Sequence, residues 1–385
     1  MRDVYVVSAA RTAVGKAKRA LALVRPEEMA APVLQTVVRR ASITADQVQD
    51  LVLGCAFPEG EQGMNVARII AIAAGFPDTV PAMTLNRFCS SGLEAIVSAS
   101  MKIRAGFLDI AVAAGVESMS LVPMTGVKFA PDPRMTIEHP EAYISMGNCG
   151  DNVARDFHIT REEMDQWALR SVQRAVAAID AGKFKEQIVP LKVKTPTGEI
   201  LFDTDEGPRR DTTLEGLTKL KPAFTGPGAK GACTAGNSSQ TSDGAAAVCL
   251  MSADALKATG AKPLAKVLGY NVAAGALKYL GPAQVEAIPK ACALSGVKLE
   301  DIGLFEHNEA FASQCLYVIK TLNLDREKVN VNGGAIALGH PLGCTGAKLS
   351  TQLIYEMKAR RVQYGLVTMC IGGGMGAAGV FELCN

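Results

Sequence analysis

No apolar run in this chain approaches the ~20 residues needed to cross a bilayer; the longest lie around Ile69 to Phe76 and Ile110 to Val116. No membrane span is expected. No two of the ten cysteines stand at C-x-x-C spacing, which argues against a disulfide framework and against a zinc site. Most of them read as reduced thiols packed as small apolar groups. No charge of one sign dominates: 40 Lys+Arg against 38 Asp+Glu leave +2, and the basic residues form scattered pairs such as Arg39/Arg40, Arg209/Arg210 and Arg360/Arg361. A nucleic-acid footprint is therefore missing from the composition. The run Asp3 to Val7 is strand-like, too short in apolar residues for a signal segment and too acidic for a transit peptide. The end Glu382-Leu383-Cys384-Asn385 is no peroxisomal address, so a cytoplasmic protein is expected. What the chain does have is size and apolar content, 385 residues at 48% hydrophobic, enough for two or three cored domains.

An internal repeat organises those domains. Ala41 to Val48 has the pattern of Ser295 to Ile302, with Ile43 matching Val297 and Val48 matching Ile302 at an offset of 254 residues. Cys89-Ser90-Ser91-Gly92 and Cys344-Thr345-Gly346-Ala347 each open an apolar-periodic stretch, 255 apart. Strand-like Ile110 to Gly115 and Leu366 to Cys370 follow at nearly the same separation. Three matches in order indicate two homologous halves, 1–118 and 257–385, with 119–248 inserted between them and 249–256 completing the first half. Short Val/Ile/Leu runs alternate with stretches at helical spacing, the signature of a layered α/β fold. Leu93, Ile96, Val97 and Met101 form one such helical face, and Leu349, Leu353, Ile354 and Met357 form its counterpart. In the insertion, Thr160 to Glu163 is a capping box. Behind it Met164, Trp167, Ala168, Val172, Ala175 and Ile179 stripe a helix that ends at Gly182, and this stripe reads as plain core. Residues 190–224 are polar and turn-rich.

Chemistry-bearing residues gather at element ends. Cys89 falls after strand-like Ala82 to Leu85 and before a helix, where free N–H groups favour an anion; position alone leaves both a nucleophile and a core thiol open. His340, one of four histidines, stands in Gly339-His340-Pro341-Leu342-Gly343 as a general base or a structural turn residue. Cys370-Ile371-Gly372-Gly373-Gly374-Met375-Gly376 follows a strand, and such glycines expose N–H groups for an oxyanion. Gly374, Gly376 and Gly379 spell G-x-G-x-x-G, but the ~30 residues of a βαβ unit do not fit before Asn385. His307-Asn308-Glu309-Ala310-Phe311-Ala312 puts three polar side chains before a helix, of which capping accounts for one.

Together these motifs resemble the signatures of the thiolases. They are Asn86 to Gly92, Asn308 to Ala312, Gly339 to Ala347 and Cys370 to Gly376, and Thr234 to Gln240 with Asp243 to Ala245 is similar to that family's coenzyme A loop. The resemblance spans essentially the whole chain. It implies a five-layered αβαβα sandwich of two similar halves with an inserted loop domain. It implies Cys89 as the nucleophile on a 3-ketoacyl-CoA, His340 as its base and Cys370 as the acid/base that protonates the departing acetyl-CoA enolate and deprotonates the incoming CoA. The N–H groups of Cys89 and Gly372 would form one oxyanion hole; His340 and a water on Asn308 would form the other. For CoA and the acyl group it points to Ser239, Met146 and Phe311, with Arg209, Arg210, Lys219 and Lys221 as candidates for the phosphates. No metal and no redox cofactor are implied, CoA entering as substrate. A homodimer or homotetramer is expected, with a β-oxidation complex as a further partner.

His307 departs from the family, which commonly has an apolar residue there; packing, pKa tuning and acyl contact are its three readings. The loop Val116 to Met146 looks more like degradative 3-ketoacyl-CoA thiolases than biosynthetic acetoacetyl-CoA thiolases. Three rivals are a decarboxylating or hydroxymethylglutaryl-type condensing enzyme, a thiolase-like subunit of a multienzyme complex with an unusual acyl substrate, and a Cys/His metal protein. The Cys370 motif argues against the first and the intact site motifs against the second. The lack of ligand spacing argues against the third.

Overall fold

The computed structural model describes residues 2–195, 198–225 and 230–384. In the first half, strands β1 (Val4–Thr12), β2 (Leu51–Gly54), β3 (Ala82–Leu85), β4 (Ile110–Ser118) and β5 (Ser242–Ser252) lie in the order β3-β2-β4-β5-β1. In the second, β6 (Ala265–Ala274), β7 (Leu304–His307), β8 (Tyr364–Ile371) and β9 (Met375–Leu383) lie in the order β6-β9-β8-β7. The repeat thus appears as mirrored strand orders, β2-β4-β5-β1 against β7-β8-β9-β6. The two sheets meet through a short antiparallel ladder of β1 and β6, Tyr5 opposite Lys266 and Val6 opposite Ala265. β5 begins at Ser242, with Ser242 opposite Lys16 and Asp243 opposite Ser118 at the end of β4.

Side chains alternate across each strand, so both faces of both sheets must be covered. On β5, Ala245, Ala247, Cys249 and Met251 join one core, whereas Ala246, Val248 and Leu250 join another. The first core lies under α1 (Pro26–Arg40) and α2 (Val66–Ala73). The second lies between the sheets, around α3 (Ser91–Arg104) and the last long helix (Leu342–Arg360). A third covers the outer face of the second sheet. Its helices are α4 (Met146–Asp156) and α5 (Arg161–Asp180) from the insertion, with α6 (Pro282–Ser295) and α7 (Ala312–Thr321). Helix, sheet, helix pair, sheet, helix make the five layers. The last long helix is hereafter α9, after the single turn α8 (Ala335–Leu338).

The central helices touch backbone to backbone because the repeat places glycine at their crossing. A Cβ on Gly92 would lie 2.6 Å from the N of Ala347, and one on Gly346 would lie 2.1 Å from the N of Leu93. Of the expected helical face, Leu93, Ile96 and Val97 are buried, but Met101 is 64% exposed; it sits in the last turn, beyond the crossing. The Thr160 capping box forms as expected, with Thr160 accepting from the Glu163 N–H and Glu163 reaching back to the N–H of Thr160. The turn-rich stretch holds two antiparallel strands, Leu191–Thr195 and Gly198–Phe202, and a short helix, Leu214–Thr218.

Candidate active site

Cys89 sits in a single 3-10 turn, Phe88–Ser90, feeding α3. Phe88 holds φ at +44°, a region costly for a side chain with a Cβ and concentrated at functional sites. The neighbours enforce it: the Phe88 N–H donates to Asn86 Oδ1 at 2.7 Å, the Arg87 N–H donates to Ser91 Oγ, and that hydroxyl donates to the Phe88 carbonyl. The sulfur is buried among Ala56, Met119 and Leu342. Burial pushes its pKa up to about 12, against a lowering by the backbone N–H groups of Gly372 and of Cys89 itself. The same two N–H groups named for the oxyanion hole therefore converge on this sulfur.

Gly372 follows β8, whose penultimate residue is Cys370. A Cβ there would lie 3.5 Å from Met146 Sδ and 3.6 Å from the Phe88 ring, so Met146, at the start of α4, forms a wall beside the glycine. Cys370 is fully enclosed. Its pKa is raised first by burial and next by the charge of Cys89, which brings the two thiols to one site.

His340 lies between α8 and α9. Its N–H donates to the Gln240 carbonyl at 3.1 Å. The Thr345 hydroxyl donates to the Pro341 carbonyl, a bond within the first turn of α9, so its remaining lone pairs must accept from His340 Nδ1, 2.6 Å away. That fixes the tautomer with Nδ1 protonated and Nε2 as the acceptor, facing Asn308 Nδ2 at 3.2 Å. Burial, then the charge of Lys348, lowers the imidazole pKa to about 3. The imidazole is consequently neutral and able to take a proton. Asn308 Oδ1 is buried without a partner among the described residues, the acceptor a held water requires.

Asn308 and Glu309 do not cap α7: its N-cap is Phe311, with no side-chain bond. Instead the Glu309 carboxylate accepts from Trp167 Nε1, Ser171 Oγ, Asn330 Nδ2 and the Ile336 N–H. It ties the insertion helix α5 to the loop carrying Asn308. Trp167 is thus core on its ring and a hydrogen-bond donor at its edge. Glu117, unmentioned in the sequence reading, does the same for the first half. It accepts from the N–H groups of Ala56, Phe57 and Gly343 and from Gln62, fixing the loop beside Cys89 to the start of α9. Its sequence signal was available: an acid near the end of the wholly apolar Ile110-Ala111-Val112-Ala113-Ala114-Gly115-Val116.

The remaining expected residues separate. Phe311 packs edge-on against Phe224 at 5.7 Å, and the Phe224 ring covers Gly147 beside Met146. The Ser239 N–H donates to the Ala310 carbonyl, which holds the 234–242 loop against the Asn308 segment. Arg209, Arg210 and Lys219 are exposed on the insertion; Arg210 is paired with Asp180 and Lys219 with Glu215. His307 points to the outer face, where Gln284 and Gln314 lie 3.1 and 2.6 Å from its Nε2, and burial lowers its pKa to about 3. Among the described residues no group of three or more His, Cys, Asp or Glu is placed to hold a metal, and no helix is long and apolar enough to cross a membrane.

The comparisons with known proteins define the class. The family model for the thiolase N-terminal domain matches residues 4–254 and that for the C-terminal domain matches 261–383. The chain belongs to the thiolase family of acyltransferases. It is 52% identical to a 3-ketoacyl-CoA thiolase of Bacillus subtilis, over 100% of both chains. It is 43% identical to an acetyl-CoA acetyltransferase of Pseudomonas aeruginosa over 98% of each. The crystal structure of the Bacillus anthracis acetyl-CoA acetyltransferase superposes with a TM-score of 0.92 at 43% identity, covering 100% of this chain and 99% of that one.

Proposed function

We propose that the protein catalyses CoA-dependent cleavage of 3-ketoacyl-CoA to acetyl-CoA and a shortened acyl-CoA, reversibly, through a Cys89 acyl-enzyme. The meeting of the Cys89 and Cys370 thiols with the Gly372 N–H supports this reading, together with a neutral imidazole held two residues before Leu342, which packs with Cys89. Cys89 gives its proton to His340 Nε2 and its sulfur bonds to the 3-keto carbon, whose oxygen is held by the Cys89 and Gly372 N–H groups. As the carbonyl re-forms, the C2–C3 bond breaks and the electron pair leaves as the acetyl-CoA enolate. That enolate is stabilised by His340 and the Asn308 water, and Cys370 protonates it. The Cys370 thiolate then takes the proton of a second CoA, whose sulfur attacks the acyl-enzyme and displaces Cys89, which takes its proton back from His340. Desolvation makes the Cys370 thiolate strongly basic, which suits it to take the proton of the incoming CoA thiol.

Met146 and Phe311 suit the acyl and pantetheine contacts, and Ser239 is on the loop that adjoins them. Of the basic candidates, Arg209 and Lys221 suit the CoA phosphates best, since Arg210 and Lys219 already have carboxylate partners. A cytoplasmic location fits the chain, and CoA is a substrate with no further cofactor in the scheme. The oligomer we favour is a dimer through β3. This strand is the sheet edge, and Met64 (92% exposed), Met83, Ile69, Ile72 and Phe88 expose apolar surface around it. Sedimentation equilibrium is expected to give twice the 40.4 kDa chain mass or a multiple of it; a monomer at micromolar concentration rules this interface out.

The homologues include both 3-ketoacyl-CoA thiolases and acetyl-CoA acetyltransferases. Of the two, the degradative reading is favoured by the match to the first. The test is CoA-dependent cleavage of acetoacetyl-CoA beside a long-chain 3-ketoacyl-CoA. Cleavage of the long chain at a rate equal to or above that of acetoacetyl-CoA is expected. Cleavage of acetoacetyl-CoA alone selects the biosynthetic reading, and cleavage of neither overturns both.

A further inference from the structure

The two N–H groups aimed at the Cys89 sulfur belong to different halves of the chain. That of Cys89 lies in the turn before α3, and that of Gly372 lies in the turn between β8 and β9. The bonds that shape the Phe88 turn are all internal to residues 86–91, so they do not place it against Gly372. Placement across the halves needs contacts from elsewhere.

Strand β6 supplies them at two points. Tyr270, in its middle, stands opposite Gly379 of β9, and opposed residues of an antiparallel ladder point to one face. That face carries α3: a Cβ on Gly379 would lie 3.1 Å from Leu93 Cδ1, so the missing side chain lets the helix settle beside the tyrosine. The Tyr270 hydroxyl donates to Glu94 Oε2, and the same oxygen is ion-paired with Arg87 Nε at 2.8 Å. Burial and the charge of Glu94 raise the Tyr270 pKa, so the phenol keeps the proton it donates. One carboxylate oxygen thereby joins the residue that precedes Phe88 to a strand of the second half. At the far end of β6, the N–H of Gly275 donates to the Gly374 carbonyl at 2.8 Å. Gly374 holds φ at +73°, and a Cβ there would lie 2.7 Å from the Ala276 carbonyl oxygen; glycine alone lets these backbones meet. Among the described residues one other hydrogen-bonded tie joins α3 to the second half. It is Arg104, in the last turn of α3, whose guanidinium donates to the Val267 and Leu268 carbonyls of β6, at the end of the helix away from Cys89.

We propose that Tyr270 is a positioning residue for the thiolase reaction: through Glu94 and Arg87 it sets the Cys89 turn against the Gly372 N–H, with β6 as the common reference for both sides of the oxyanion hole. This rests on the reading of Cys89 as the nucleophile and of the Cys89 and Gly372 N–H groups as the oxyanion donors. Such donors act on charge that develops only in the transition state. A hole set slightly wide therefore lowers turnover and leaves substrate binding, which Met146, Phe311 and Ser239 serve from other elements.

Tyr270→Phe removes one hydroxyl and keeps the ring. Measured on whichever 3-ketoacyl-CoA the wild type cleaves faster, its kcat is expected to fall ~5–20-fold with KM within about twofold, less than the ~10²-fold that a misplacement of about 1 Å costs. Arg104→Ala cuts the tie at the other end of the same helix; its melting temperature is expected to fall while its kcat stays at the wild-type value. Glu94→Ala removes the bridging carboxylate, and Glu94→Ala/Tyr270→Phe is expected to lose no more kcat than Glu94→Ala alone. A wild-type kcat in Tyr270→Phe, a loss confined to KM, or an equal loss of kcat in Arg104→Ala overturns the proposal and leaves Tyr270 a stabilising tie. A further loss in the double variant overturns it as well, since the hydroxyl then acts through another partner. Failure of the wild type to cleave any 3-ketoacyl-CoA is a different result, and it overturns the underlying reading.

Discussion

Replacing Cys89 by Ala is expected to abolish thiolysis, by on the order of 10⁴-fold or more, with substrate binding kept. The variant removes one sulfur from a site whose other parts are held independently. The Phe88 turn is fixed by Asn86 and Ser91, the loop beside it by Glu117, and the imidazole by Thr345 and Asn308. The loss is therefore chemical. The resting protonation state sharpens the expectation. With the thiol pKa pushed up to about 12 and that of His340 down to about 3, the free enzyme holds a neutral thiol beside a neutral imidazole, not a thiolate–imidazolium pair. The thiolate is the reactive form, and its fraction rises with pH until the folded pKa is passed. Iodoacetamide alkylation of Cys89 in wild type should accordingly climb through pH 7 to 9 without a plateau. A plateau near neutrality would show that the ion pair already exists in the free enzyme, and Cys89→Ala with more than a hundredth of wild-type thiolysis would remove Cys89 as the nucleophile.

The halves, their strands and the site motifs were legible because each leaves a local trace. The crossing of α3 and α9 needs glycine at Gly92 and Gly346, and the repeat shows both. Cys89, Asn308, His340 and Cys370 sit at element ends, where polar residues interrupt apolar runs. The supporting residues were harder to read. Glu309 looks like a helix cap in sequence and is instead a hub whose partners come from α5, the Asn330 loop and α8. No spacing rule joins Trp167 or Ser171 to it. Thr345 reads as one more helix-start hydroxyl until its second lone pair is seen to face His340 Nδ1. Lys348 follows the apolar pattern of no face and would be placed in solvent by composition, yet it is wholly enclosed. Long-range hydrogen bonding and the burial of a charge depend on how sheets stack, which periodicity within one element does not encode.

Under the proposed mechanism Cys370→Ser is expected to separate thiolysis from acyl transfer. The serine keeps the shape of the site but replaces an acid/base thiol with a hydroxyl far less willing to hold the negative charge. General acid–base catalysis contributes ~10²–10⁴-fold, so CoA-dependent cleavage of acetoacetyl-CoA should fall by that factor. Exchange of the acetyl-CoA methyl protons with deuterated solvent, which uses the same thiolate as base, should fall with it. Cys89 remains in its turn, and its environment changes only by the loss of a neighbouring sulfur. The N–H groups of Gly372 and Cys89 that lower the Cys89 pKa are backbone groups that the substitution leaves in place, so alkylation of Cys89 and its acetylation by acetyl-CoA should persist near wild-type rates. The two cysteines then divide the reaction: one carries the acyl group, the other moves the proton at the carbon that leaves. Cleavage by Cys370→Ser within tenfold of wild type, or loss of Cys89 acetylation together with cleavage, would contradict that division and assign the proton transfer to His340 alone.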